Sequence, residues 1–290
     1  MPRAEPPTTT AGRATANRGG PPGRRPRAAA LGVGAVVGAL AVGAAVLAVT
    51  GGSSAHDPSG ETMPTSDGGA WRRVYSEDFA DDAPTGTFAS RYADRFTTYD
   101  GFADTAGTGR YSASAVTAHD GLLDVGLRTT DGGTPLAGGV VPLVDGRWGG
   151  QTSGRYSIRM KSDRVDGYGL AVLLWSDANR WSDGEVDFPE GGLGQRAWLN
   201  VHCLDDPARQ CVHHETDARL ADWHTYTIEW TPERMTFLVD GRTVGTTTED
   251  VPTARMHLVL QAGSTGGTPP RTSRGSVLVD WVTIDVPTAG

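Results

Sequence analysis

The sequence predicts an all-β protein, a β-sandwich jelly roll of two antiparallel sheets, and three observations carry that expectation. Glycine (40) and proline (18) together supply a fifth of the 290 residues, against an ordinary share of about 12%, and such punctuation suits many short strands joined by turns. Several stretches alternate apolar and polar residues with period two, as half-buried strands do. Beyond residue 50 no helical periodicity runs to a convincing length. Hydrophobic residues make up 38% of the chain, which places it among globular rather than disordered sequences.

The alternation locates the strands. Leu123, Val125 and Leu127 alternate with Asp124, Gly126 and Arg128, and Tyr156, Ile158 and Met160 with Ser157, Arg159 and Lys161. Tyr226, Ile228 and Trp230 alternate with Thr227 and Glu229; a turn at Thr231-Pro232-Glu233-Arg234 then leads into Met235–Val239. Asp240-Gly241 is a hairpin signal, because both residues accept positive φ. The last strand is expected over Ser276–Asp285. Trp223, Trp230 and Trp281 read as core, and His119 and His257 as ordinary histidines.

The amino-terminal part is different. Residues 1–27 hold six Arg and one acid, while the remainder carries 20 bases against 33 acids within a total charge of −8. An acidic body argues against nucleic-acid binding, which needs clustered cations. The basic stretch precedes 22 residues of Ala, Leu, Gly and Val only, Ala28–Val49. As a helix that run reaches about 33 Å, enough to cross a hydrocarbon core of roughly 30 Å. Basic residues before such a run keep the N-terminus cytoplasmic and send the rest out. Segment 28–50 fits an uncleaved membrane anchor and a cleaved signal peptide about equally, with Ser53-Ser54-Ala55 as a cleavage site. Either way the body is extracellular or held at the cell surface. Residues 51–70, polar and rich in Gly, Ser and Pro, read as a flexible linker, and 71–287 as one large β domain with its own core, expected to be monomeric.

Cys203 and Cys211 agree with export. Eight positions apart, they are expected to form a disulfide in an oxidising compartment. The alternative, a metal site shared with His202, His213 and His214, matches no common zinc spacing.

The segment WSDANRWSDGEVDFPEG, residues 175–191, carries the chemistry. On a strand Glu185 and Asp187 share a face, about 6.7 Å apart at Cα. Glu190, five positions after Glu185, faces away by parity unless one extra residue forms a bulge, and Pro189 is tolerated at such a bulge. The bulge predicts three carboxylates in a row on one sheet face. Like charges so placed drive proton affinities apart, which is what acid–base cleavage of a glycosidic bond requires. Retaining glycosidases set their two carboxyls about 5–5.5 Å apart. Trp175 and Trp181 lie just upstream, and sugar C–H faces pack on indole planes. An exposed acidic turn is the plain alternative; a calcium loop is a poorer one, since Phe188 and Pro189 interrupt the acids.

At these residues the chain resembles glycoside hydrolase family 16, the concanavalin A-like jelly-roll endo-glycosidases that include laminarinases and lichenases. GEVDFPEG is similar to the bulged E-x-D-x-x-E signature, VYSEDF (74–79) to the opening strand, GRYSIRMK (154–161) and LAVLLW (170–175) to the strands leading to the cleft. HTYTIEWTPERMTFLVDG (224–241) resembles the following hairpin, and Val279-Asp280-Trp281-Val282 the closing strand. The resemblance implies an open substrate cleft, Glu185 as nucleophile, Glu190 as general acid and then base, and Asp187 as the group that tunes both. It implies a polysaccharide substrate bound by Trp175, Trp181 and His202, with Trp148 and Trp198 as further stacking candidates. No cofactor is required. Some members hold a structural calcium on the convex side, and Asp280 occupies a comparable place to its closing-strand ligand. A lectin-like sandwich that binds without cutting, and a transglycosylase acting in wall remodelling, are the rival expectations; one scaffold hosts many functions.

Overall fold

The computed structural model describes residues 57–65 and 69–288. The basic stretch, the apolar run 28–50 and the start of the linker lie outside the described residues. What is described is a two-layer antiparallel sandwich. The concave sheet runs in the order Phe96–Thr98, Pro135–Val144, Met256–Ser264, Tyr168–Ser176, Glu185–Gly192, Arg196–His202 and Gln210–Arg219. The convex sheet runs Val116–His119, Leu122–Thr129, Arg274–Pro287, Gly154–Ser162, His224–Trp230, Met235–Val239 and Arg242–Thr247. Trp71–Glu77 extends the second sheet beside the closing half of Arg274–Pro287.

The period-two stretches occupy these strands as expected, because alternation lets one face pack while the other stays wet. Leu123, Val125, Leu127, Ile158, Met160, Tyr226, Ile228 and Trp230 all point between the sheets and are buried. Trp230 is wholly enclosed, and its indole N–H donates to the Pro252 carbonyl at 3.1 Å. Burying an indole without a partner for that donor carries a cost of its own, so the bond belongs with the packing. Asp240 and Gly241 take φ of 49° and 72°, the left-handed pair that a tight hairpin needs.

One tryptophan, Trp223, departs from the core reading, while Trp281 is buried as expected. Trp223 is half-buried on the outside of the convex sheet, with the Lys161 ammonium 5.1 Å from its ring centre. Trp281 is buried, but outside the inter-sheet cluster. Its N–H donates to the carbonyl of Glu61 at 3.1 Å. Residues 57–65, expected as flexible linker, are in contact with the convex sheet: Arg159 pairs with Glu61 at 3.0 Å, and Thr225 donates to the same carboxylate at 3.1 Å.

Cys203 and Cys211 form the expected disulfide. It closes the connection between Arg196–His202 and Gln210–Arg219, at the exposed edge of the concave sheet. Cross-linking a loop this short restricts the unfolded chain by about 2.5 kcal/mol. A Cys203→Ala/Cys211→Ala double variant should therefore lose about 2 kcal/mol, lowering Tm by roughly 4–8 °C in thermal unfolding. An unchanged Tm would mean that the ladder alone holds this edge.

Candidate active site

The strand Glu185–Gly192 lies between Tyr168–Ser176 and Arg196–His202. Glu185 pairs with Trp175, Asp187 with Leu173 and Asn200, and Glu190 with Ala171 and Trp198. From Asp187 to Glu190 the strand advances three residues while each neighbour advances two, so one extra residue is present against both. This is the bulge expected from parity. Phe188 points into the core, where its ring meets Tyr226 and Phe237 edge-on, and the bulge returns Glu190 to the face of Glu185 and Asp187. Glu185 and Asp187 are fully buried and Glu190 is half-buried.

The remaining predicted residues surround this row. His202 Nδ1 faces the Pro207 carbonyl at 2.7 Å, and Nε2 lies 3.3 Å from Asp187 Oδ2. A carbonyl only accepts, so Nδ1 carries a hydrogen. Trp181 packs on His202 with ring centres 5.9 Å apart. The short turn carrying it, Trp181–Asp183, leads directly into Glu185. Asp183 anchors that turn by accepting from Ser176 Oγ at 2.6 Å and from Arg180. The Ser176 hydrogen bond holds the Asp183 carboxyl below its ordinary value, with Arg180 adding to it.

The sheet floor beside the carboxylates is apolar. Val141, Ala171, Leu173 and Val259 form a cluster separate from the core, with Tyr99, Trp148 and Trp175 packed on it. Gly139 makes room for this: a Cβ there would stand 2.6 Å from the Tyr99 ring. Trp175 Nε1 donates to Asn179 at 2.8 Å and Trp148 Nε1 to Thr97 at 3.3 Å. Trp148 also rests on His257, which is 2% exposed and bonded to Asp177 at 2.9 Å. On the other side of Glu190 a cavity of about 530 Å³ is lined by Tyr111, Gln195, Trp198 and Gln261. Trp198 Nε1 donates to Glu215 at 3.3 Å. The five aromatic and histidine candidates thus divide, with Trp148 and Trp175 on the floor, Trp181 and His202 beside Asp187, and Trp198 beside Glu190.

Tyr99, Asn200 and Gln261 join the site without having been singled out in the sequence; His257, read as an ordinary histidine, lies under Trp148, and His213, considered only for a metal site, is bonded to Asn200. For Asn200 a signal existed: Trp198, Asn200 and His202 are two apart and share a strand face. His257 and Gln261 lie on Met256–Ser264, opposite Trp175 and Ala171, a register that no local pattern encodes.

Asp280 does not fit a calcium ion. Its carboxylate accepts from the Ser59 backbone N–H at 3.2 Å. The Ser59 hydroxyl and carbonyl, the nearby oxygens a cation would recruit, already accept from the Arg159 guanidinium at 3.0 and 3.3 Å. Calcium takes six to eight oxygens, and here a fixed cation and an N–H donor stand in their place. Burial, set against the hydrogen bonds from Ser59, pushes the Asp280 carboxyl above its ordinary value. Among the described residues, ligand-type atoms gather within 4.8 Å only at Glu185, Asp187 and His202, the row above, and at the disulfide with Asp205.

The concave sheet of this jelly roll thus sets three acids in line beside an aromatic floor. Residues 149–283, just under half of the chain, match the family model described as Glycosyl hydrolases family 16. A β-glucanase of Acetivibrio thermocellus is 27% identical over 124 residues, covering 40% of this chain and 36% of the relative, so the match spans about a third of that protein. The crystal structure of an endo-1,3-β-glucanase from Streptomyces sioyaensis superposes with a TM-score of 0.62 at 21% identity, over 77% of this chain and 99% of that one. A β-1,3-glucanase from Mycobacterium marinum gives 0.57 at 20% identity, over 73% and 98%. At these identities the structures establish the shared fold.

Ser176→Ala should loosen the Trp181 turn, raising KM about 3- to 10-fold in steady-state kinetics. A depressed carboxyl stabilises the fold above its unfolded value and loses that contribution as pH falls through the folded one. The stability gap between wild type and Ser176→Ala should therefore be full at neutral pH and shrink below the ordinary value of 3.8. A gap unchanged between pH 6 and pH 3, read by urea unfolding, would disconnect Ser176 from Asp183.

Proposed function

We propose that this chain is an exported, endo-acting, retaining glycoside hydrolase that cuts β-linked glucan, with β-1,3 or mixed-linkage glucan as the preferred substrate. The observation that carries the reading is the bulged row of Glu185, Asp187 and Glu190 on the concave sheet, beside an aromatic floor. The family match and the glucanase relatives support the substrate class. The acidic body favours a neutral polysaccharide over a sulfated or uronic one.

The chemistry follows from the two ends of the row. Glu190, protonated, gives its proton to the glycosidic oxygen as the bond to the leaving sugar breaks. The Glu185 carboxylate attacks the anomeric carbon and forms a glycosyl ester. Glu190, now a carboxylate, takes a proton from water as that water attacks the same carbon and Glu185 departs. Two inversions give retention. Asp187, with His202 3.3 Å away, stands between the two and tunes both. Trp148 and Trp175 offer apolar planes to the sugar rings, and the cavity beside Trp198 and Gln261 takes the chain on the Glu190 side. The apolar run at 28–49 supports export, and the disulfide agrees with an oxidising compartment.

A lectin-like reading is disfavoured by the row itself, since a module that only binds gains nothing from two fully buried acids held together. Residues 57–290 assayed on laminarin and mixed-linkage glucan should release oligosaccharides whose first-formed anomer is β by NMR. Glu185→Gln should lower kcat by at least about 10³-fold with the fold intact. An α first product, or activity that survives Glu185→Gln, would overturn the assignment.

A further inference from the structure

We infer that Asn200 and His213 are positioning residues for Glu190, forming a hydrogen-bonded chain from the edge of the sheet to the general acid. The inference rests on the reading of Glu190 as acid–base and assigns a function to two side chains that reading does not use.

The geometry comes from three adjacent strands. Asn200 pairs with Asp187 on one side and with His213 on the other, one step along the ladder from Glu190 and Trp198. Asn200 is fully buried; its Nδ2 donates to Glu190 Oε2 through a short hydrogen bond, and His213 Nδ1 lies 2.6 Å from its Oδ1. Each link fixes the next. A carboxylate only accepts, so an ionised Glu190 draws the amide nitrogen toward itself. The amide oxygen then faces His213, which must donate from Nδ1. The Trp198 ring, 5.8 Å from that of His213 and edge-on to it, flanks the imidazole. An amide buried in this way would be free to turn over if either neighbour were absent. His213 removes that freedom, so that a donor always faces Glu190.

The consequence is for the proton cycle. A permanent N–H donor favours the ionised form of the carboxyl, which makes Glu190 a readier acid in the first step, and it holds the oxygen that must then receive a proton from water. The titratable groups packed around Glu190 come from each neighbouring strand. Glu185 and Asp187 on its own strand are acids. Arg196–His202 brings His202, which lies against Pro207 and Asp187, and beyond it Gln210–Arg219 brings Glu215, which accepts from Trp198. Tyr168–Ser176 presents Ala171 and Leu173 at this point, and Tyr168 lines the adjoining cavity.

The test is the pH profile of kcat/KM on mixed-linkage glucan for wild type, Asn200→Ala, His213→Ala and His213→Asn, with thermal unfolding of each and Glu190→Gln as reference. Loss of the donor raises the proton affinity of Glu190, so the basic limb, where the acid form disappears, should move up by about 0.5–1 pH unit in Asn200→Ala. At the optimum, kcat should fall about 10- to 100-fold with KM within about twofold. His213→Ala should shift the limb in the same direction by less, and His213→Asn, whose side-chain amide reaches the place of Nδ1, should restore it. Full activity in Glu190→Gln would overturn the acid–base reading and this inference with it. An inactive Glu190→Gln together with an unmoved basic limb in Asn200→Ala and His213→Ala would overturn the chain alone. Because His213 is exposed on an edge strand, its variants decide the matter even if Asn200→Ala fails to fold.

Discussion

A strand alternates its side chains strictly, and the active face of this protein depends on the one place where Glu185–Gly192 interrupts that alternation. If the strand kept strict alternation from Asp187 to Glu190 instead of bulging, it would send Glu190 into the space between the sheets. There it would bury a charge among hydrocarbon, which costs several kcal/mol. With the bulge, Val186 and Phe188 complete the core and the three acids stand together on the other side. The same residue thus satisfies the packing of the sandwich and the geometry of the site. Both neighbouring strands register against it, so neither the core nor the cleft can change there independently.

Around that row the sheet is arranged by charge and shape. Glu185 and Asp187 are fully buried, and His202 stands against Asp187. Glu190, less buried, meets a fixed amide donor instead. Two acids of one strand are thereby given different surroundings, and different surroundings are what allow one carboxyl to attack while another gives up a proton. The floor next to them is built from small and branched residues, with Gly139 and Ala171 leaving height for Tyr99, Trp148 and Trp175. Polar second contacts, to Asn179, Thr97 and His257, set the planes of the indoles on which sugars would lie.

Much of this was legible in the sequence wherever a short pattern determines a local outcome. Period two placed Leu123–Leu127, Tyr156–Met160 and Tyr226–Trp230 in their strands, and Asp240-Gly241 in its hairpin. The parity of Glu185, Asp187 and Glu190, with Pro189 between, required the bulge. What stayed hidden depends on register between distant strands. Gln261 and His257 belong to the site only because Met256–Ser264 lies beside Tyr168–Ser176, and His213 only because of where it meets Asn200. The strap at 57–65 looked like linker because it is held by Arg159, Thr225 and Trp281 through polar groups rather than by apolar side chains of its own. Asp280 looked like a calcium ligand because its strand position suggests one, whereas Arg159 and Ser59, distant in sequence, decide its surroundings.

The central claim is that the bulged row puts a nucleophilic carboxylate at Glu185, distinct in function from the other two acids. The most direct measurement is active-site labelling with an epoxyalkyl β-glucan oligosaccharide, followed by mass spectrometry of the digested protein. The account predicts a single ester on Glu185, formed at a rate that saturates with reagent and is slowed by unlabelled oligosaccharide. Saturable labelling of Asp187 or Glu190 instead, with Glu185 untouched, would contradict it.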